Sequence, residues 1–226
     1  MSQRLLFPDA AGAADALTFC ARSASLGEGT VRLRAERGVL AMTCAPLAPR
    51  GLFDTTPTII GMRTLAIDPE LQCDFVVAAA QVAGAGDDAT ALVLPETAVT
   101  ASWAGVSPPR SGWQPGAPIP AAVLAQRAQW GIASVAEAMP QNPGEDVVRS
   151  IRASVWGVAD DALDQLPLGA AFAAFALGFV AGEEQARVFT APAWTRLTLD
   201  RGHVLVRGPA KSGLTAVRAT GGASPA

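Results

Sequence analysis

The chain has no tyrosine and, among 226 residues, one histidine (His203), one lysine (Lys211) and one asparagine (Asn142). Each scarcity excludes something. A single histidine rules out a histidine-built metal site. A Ser-His-Asp triad would have to use His203 itself, with Asp200 beside it and a remote serine, yet no G-x-S-x-G elbow supplies that serine. The three cysteines, Cys20, Cys44 and Cys73, form no C-x-x-C pair and sit among apolar neighbours. That pattern argues against zinc and against a disulfide framework, and it fits a reducing, cytoplasmic setting. Charge is also scarce, at 16 % of residues with a net of −3. No basic patch is available for nucleic acid or for an anionic membrane, so neither is expected as a partner. No G-x-G-x-x-G follows a strand and no G-x-x-x-x-G-K-[ST] is present. No cofactor is therefore expected. The paired acids Asp87-Asp88, Asp160-Asp161 and Glu183-Glu184 fall at element ends, where solvated turns and helix starts account for them.

What is abundant is alanine, arginine, glycine and proline, the residues that a G- and C-rich genome favours. Arginine in place of lysine is then no sign of phosphate recognition. Half of the residues are hydrophobic, enough for a sizeable core. Leu166 to Gly182 carries no charge over 17 residues, the lower edge of a membrane-spanning length. It is mostly Ala and Gly, acids flank it on both sides, and no Lys/Arg cluster sets an orientation, so it reads as a buried helix. The N-terminal MSQRLLFPDA has too short an apolar run for a signal peptide.

Along the chain, Arg4–Phe7 reads as a strand and Asp9 as the N-cap of a helix to about Ser25. Val31, Leu33 and Ala35 alternate with Arg32 and Arg34, as in a half-buried strand. Glu36-Arg37-Gly38 turns it into a second arm, Val39–Cys44. Further strands are expected at Thr58–Ile67 and Leu71–Val77, the latter passing into a short helix at Ala78–Val82. Another hairpin is expected with arms Ala91–Leu94 and Thr97–Trp103. From Gly105 to Pro120 the chain is rich in Gly, Ser and Pro, a boundary. A helix then runs from Pro120 to about Met139, with Val123, Leu124, Trp130 and Val135 as its apolar positions. Asn142-Pro143-Gly144-Glu145 reads as a helix start capped by Asn142. An Ala-rich helix covers about Leu168–Val180. Strand Arg187–Thr190 and the hairpin of Trp194–Leu199 with His203–Arg207 close the fold.

The fold class expected is α+β: antiparallel β-hairpins from both chain ends, packed with a central-to-C-terminal helical segment. Residues 1–208 read as one domain, with lobes 1–113 (mainly β) and 120–208 (helices plus the closing hairpin), and 209–226 as a flexible tail. Arg32-Leu33-x-x-Glu36-Arg37-Gly38 echoes Arg196-Leu197-x-x-Asp200-Arg201-Gly202. The echo is either a structural repeat or two ordinary acid-Arg-Gly turns.

Ala101 to Trp113, ASWAGVSPPRSGW, is the costliest stretch. Trp103 and Trp113 supply large anchors, Pro108-Pro109 a stiff backbone, and Arg110 a bidentate donor, a grouping typical of interface hot spots. The competing reading is a crossover that caps the core, with both indoles packed inward and Arg110 paired to a carboxylate. The candidate binding residues are Trp103, Ser107, Arg110, Trp113 and Arg152. No catalytic or metal residue stands out. The leading functional reading is a non-enzymatic binding or adaptor protein with an unknown protein or small-molecule partner. The alternatives are an enzyme of unrecognised type with an anion-holding pocket near Arg110, and a clamp-like scaffold. WAGVSPPRSGW, together with AWTRL and RGHVLVR, resembles an uncharacterised protein family of actinobacteria. That resemblance implies no activity, substrate or cofactor.

Overall fold

The computed structural model describes residues 4–51 and 53–208; the 209–226 tail expectation lies outside the described residues. In chain order the elements are β1 (Arg4–Leu6), α1 (Ala10–Ser23), β2 (Thr30–Glu36), β3 (Val39–Leu47), β4 (Thr58–Ala66), β5 (Cys73–Ala78), β6 (Ala83–Ala85), β7 (Asp88–Val93), β8 (Gln114–Pro115) and β9 (Ile119–Pro120). They continue with α2 (Ala121–Ala138), α3 (Glu145–Trp156), β10 (Ala159–Asp160), β11 (Leu166–Pro167), α4 (Leu168–Ala176), β12 (Gln185–Ala191), β13 (Trp194–Leu199) and β14 (Gly202–Arg207). The fold class is α+β, with every strand pairing antiparallel.

Strand alternation sorts the side chains onto two faces. On β2, Val31, Leu33 and Ala35 are buried while Arg32 and Arg34 face the other way. The hairpin to β3 turns through Arg37 and Gly38, both at positive φ, the conformation that a two-residue type I′ turn needs. The large sheet runs β5-β2-β3-β4-β14-β13-β12-β8, with β9 also on β12. The closing hairpin thus adds to the N-terminal strands through β14 on β4, in register from His203↔Met62 to Arg207↔Thr58.

That junction is a centre of symmetry in the topology. β1-α1-β2-β3-β4 and β11-α4-β12-β13-β14 have the same element order, and their meanders meet as β2-β3-β4 and β14-β13-β12. In this scheme the β2–β3 hairpin corresponds to β12–β13. The sequence echo instead aligns it with β13–β14, and the conformations differ. Gly38 sits in the turn, whereas Gly202 sits on β14 opposite Leu199. Gly202 is small because a Cβ there would lie 2.5 Å from the Phe179 ring.

One sheet face is covered by α1, α2 and α4. Leu33, Leu40, Met42, Ile59, Leu197 and Val204 from the strands join Phe19, Leu124, Leu168 and Phe179 in the main core. Trp156 stacks on Phe172 with ring centroids 4.3 Å apart. α1 is capped by Asp9, whose carboxylate accepts from the Gly12 N–H at 2.7 Å. Leu166–Gly182 contributes α4, whose Ala170, Ala171, Ala173 and Ala174 are fully buried. Among the described residues no helix is long and apolar enough to cross a membrane.

Three local expectations fail. The hairpin of 91–94 with 97–103 does not form: β7 has β1 on one edge and β6 on the other, so no free edge remains for Thr97–Trp103. Trp103 therefore ends no strand and lies in a 3₁₀ turn, Ser102–Gly105. Asn142 does not cap α3. It has φ +50, whereas an N-cap needs extended backbone, and Gly144 takes that position without a side-chain cap.

Candidate binding site

The face of the sheet away from the helices would leave Ile60, Val76, Trp194 and Leu205 in water. Residues 101–113 cross it as a strap. Ala101 and Trp103 pack with those four and Ala45 in a second core, with Val106 and Trp113 packed against it. Hydrogen bonds tie the strap at both ends. The Val99 N–H donates to the Val76 carbonyl at 2.8 Å, and at the far end Gln114 pairs with Thr190 on β12. The Trp103 indole donates to Thr30 Oγ1 at 3.2 Å, and the Trp113 indole to the Pro109 carbonyl at 3.0 Å.

Two arginines of the sheet hold the strap. Arg32 makes a two-pronged pair with Asp74, at 2.6 and 2.8 Å, and donates from Nη1 to the Ala104 carbonyl at 2.6 Å. The pair holds the Asp74 carboxyl below its usual range and raises Arg32 further. Arg196 lies 4.7 Å from the Trp113 ring and 4.7 Å from the Phe189 ring. The crossover reading of this stretch thus fits the indoles, with Trp103 buried and Trp113 half-buried. It does not fit Arg110, which is exposed and has no hydrogen bond or ion pair among the described residues.

Beside Trp103 a cleft of about 610 Å³ opens between the two halves of the chain. One wall is the turn after α1 (Ala24 to Gly29) and the end of β3 with Ala48 and Arg50; the other is Pro143 and the first turns of α3, with Val148, Arg149 and Arg152. α3 leaves its apolar face half-covered, and this wall exposes part of it. Arg149 pairs with Asp146 at 2.8 Å. Arg50 and Arg152 have no side-chain partner among the described residues. Glu28 and Glu145 also line the cleft.

The five predicted residues therefore divide. Trp103 and Arg152 border the cleft, whereas Ser107, Arg110 and Trp113 do not and belong to the strap. Sequence reading missed Arg50, Val148 and Arg149, which only the approach of α3 to the β3 end brings together. It also missed Arg196 and Phe189. Among the described residues no group of three or more His, Cys, Asp or Glu is placed to hold a metal ion.

Fold and site together define an α+β protein in which the three-strand meanders of two β-α-β-β-β units share one sheet, with a strap across its outer face. Residues 1–105 match the family model Domain of unknown function (DUF8010), and residues 108–211 match Domain of unknown function (DUF8185). The two matches meet within the strap. No curated protein matches the chain. Among solved structures the chain is similar to the DNA polymerase sliding clamp of Caulobacter crescentus, at 12 % identity and TM-score 0.46, over 98 % of this chain and 69 % of that one. It is similar to a putative DNA polymerase III beta subunit from Eubacterium rectale, at 6 % and 0.48, over 94 % and 66 %. It is also similar to the sliding clamp of Pseudomonas aeruginosa, at 12 % and 0.44, over 95 % and 66 %. The chain spans about two thirds of those chains.

Proposed function

We propose that the protein is a non-enzymatic scaffold that docks a segment of a partner protein in the cleft between α3 and the Ala24–Gly29 turn. The observation that carries this reading is the composition of the cleft. Apolar atoms of Pro46, Leu47, Trp103 and Val148 line it beside two guanidiniums, Arg50 and Arg152, that have no side-chain partner among the described residues. Such a surface suits a peptide that offers both an apolar side chain and an acid. The symmetric pair of β-α-β-β-β units supports the scaffold over the enzyme, since it builds a broad two-faced sheet. The buried, unpaired Cys20 and Cys44 support a cytoplasmic setting for this scaffold, and the use of arginine for lysine supports an actinobacterial origin.

Affinity capture from the native host with wild type, Arg152→Glu and Val148→Asp tests it. Both variants are expected to lose one and the same partner while keeping the wild-type circular dichroism spectrum. An unchanged partner set in both would remove the cleft from consideration. Nucleic acid is left out of the proposal because the chain's net charge of −3 gives no overall basic footprint. Duplex binding that weakens steeply with salt would overturn that exclusion.

A further inference from the structure

The two arginines that hold the strap differ in one respect. At the β2–β5 end, Arg32 and Arg34 both have acids: Asp74 for both, and Glu36 for Arg34. At the β12–β14 end no acid pairs with Arg196 or Arg187 among the described residues. Arg196 has Trp113 and Phe189 rings beside it, but it makes no hydrogen bond or ion pair among the described residues, and its buried Nε lacks an acceptor. Aromatic faces attract a guanidinium yet leave its N–H donors without a planar acceptor. Arg187, on the next strand, faces the same side, is exposed and is likewise unpaired. Behind them lies His203, opposite Thr198, with its Nδ1 3.1 Å from Thr198 Oγ1. The crowding of like charge is felt by Arg196 and His203. Arg196 is lowered from its ordinary value by burial and then by Arg187. His203 is lowered by burial, then by Arg196, Arg187 and Arg63. A third free guanidinium, Arg110, lies on the strap next to Pro109, whose carbonyl holds the Trp113 indole.

We propose that Arg196 and Arg187 form an anion seat that takes a carboxylate from an acidic segment of a partner protein laid along the end of the strap. The fork of Arg196, flanked by two rings, matches a planar two-oxygen acceptor. The seat lies on an open sheet face rather than in a cleft, which suits an extended chain. It is separate from the cleft between α3 and the Ala24–Gly29 turn, so either can fail alone.

Fluorescence anisotropy with fluorescein-labelled hexaglutamate in about 50 mM salt, where exposed charges are weakly screened, tests the seat. Arg196→Ala and Arg187→Ala are each expected to weaken binding about tenfold or more. Arg196→Lys should weaken it as well, because it keeps the charge but loses the planar fork. Arg4→Ala, on β1 outside the large sheet, removes the same charge away from both sites and should bind as wild type does. Nuclear magnetic resonance of the His203 imidazole should show its pKa rising when peptide is added, since a neighbouring carboxylate favours the charged ring. Arg187 is exposed, so its variant keeps the test valid if Arg196→Ala fails to fold. Unchanged binding by the Arg187→Ala variant, or equal weakening by Arg4→Ala, would overturn the proposal. So would displacement of the peptide by equimolar inorganic phosphate, which would make the seat a small-anion site.

Discussion

Trp103 and Trp130 show how far a side chain's type is from its role. The sequence presents Trp103 as an anchor of the strap and Trp130 as an apolar position of α2. Trp103 is 3 % exposed, fills the second core and satisfies its indole on Thr30. Trp130 is 52 % exposed on α2, with Arg127 4.6 Å from its ring. Helical period alone cannot separate a position facing the core from one at its margin. Trp103→Ala should therefore cost about 3–5 kcal/mol, as truncations of buried tryptophan do. Trp130→Ala should cost no more than about 1 kcal/mol, the size of an exposed cation–π contact. Urea unfolding monitored by circular dichroism checks both. The cysteines differ by the same logic. Burial pushes the Cys20 and Cys44 thiols up to about 12, so almost no thiolate exists at neutral pH. Cys73 is raised too but is half-buried. In a native-state alkylation at pH 8, Cys73 should react first, and Cys20 and Cys44 only on unfolding.

At the scale of elements, Gly131 is out of place by helix propensity and in place by packing. In sequence it weakens the helix by about 1 kcal/mol relative to alanine. In the structure a Cβ there would lie 2.2 Å from the Trp156 ring and 2.9 Å from Leu168. The ring cannot retreat, because it is stacked on Phe172. Overpacking of this kind costs about 1–3 kcal/mol, which outweighs the propensity gain. Gly131→Ala is expected to lower the thermal midpoint; a rise would show that α2 and α3 separate readily. The start of α3 teaches a related point. The Asn-Pro-Gly-Glu run carries every residue type of a helix start, yet Asn142 turns left-handed and the helix begins at Glu145. Residue types allow several cap registers, and the chain's return from α2 selects one of them.

For the whole molecule, the outer sheet face is where acidity should act first. His203 is held below its ordinary 6.5 by burial and by the arginines around it. A base whose folded pKa is depressed binds fewer protons folded than unfolded, so stability is fully present above about 6.5 and is lost as pH falls through the folded value. The depressed carboxylates Asp54 and Asp74 act in the same direction, but only below their ordinary 3.8. Urea midpoints should therefore fall between pH 7.5 and 5.5 in the wild type, and His203→Gln should flatten that slope. Equal slopes would place the acid-sensitive group elsewhere.

The strands of both hairpins, the Asp9 cap, α2, the buried Ala-rich helix and the α+β class were all legible in the chain. They rest on local facts: side-chain period, turn residues and the cost of burying backbone without partners. Trp103, Arg110, Trp113 and Arg152 could be picked out as conspicuous, but not placed. What brings Trp103 and Arg152 to one cleft, and Trp113 onto Arg196, is the pairing of β14 with β4 and the path of the strap over it. Those contacts join residues 49 to 149 positions apart, whose proximity depends on which sheet edges the other strands leave free. No local pattern carries that information. The sequence by itself determined which segments could be strand or helix; the tertiary structure decided which faces they present to one another.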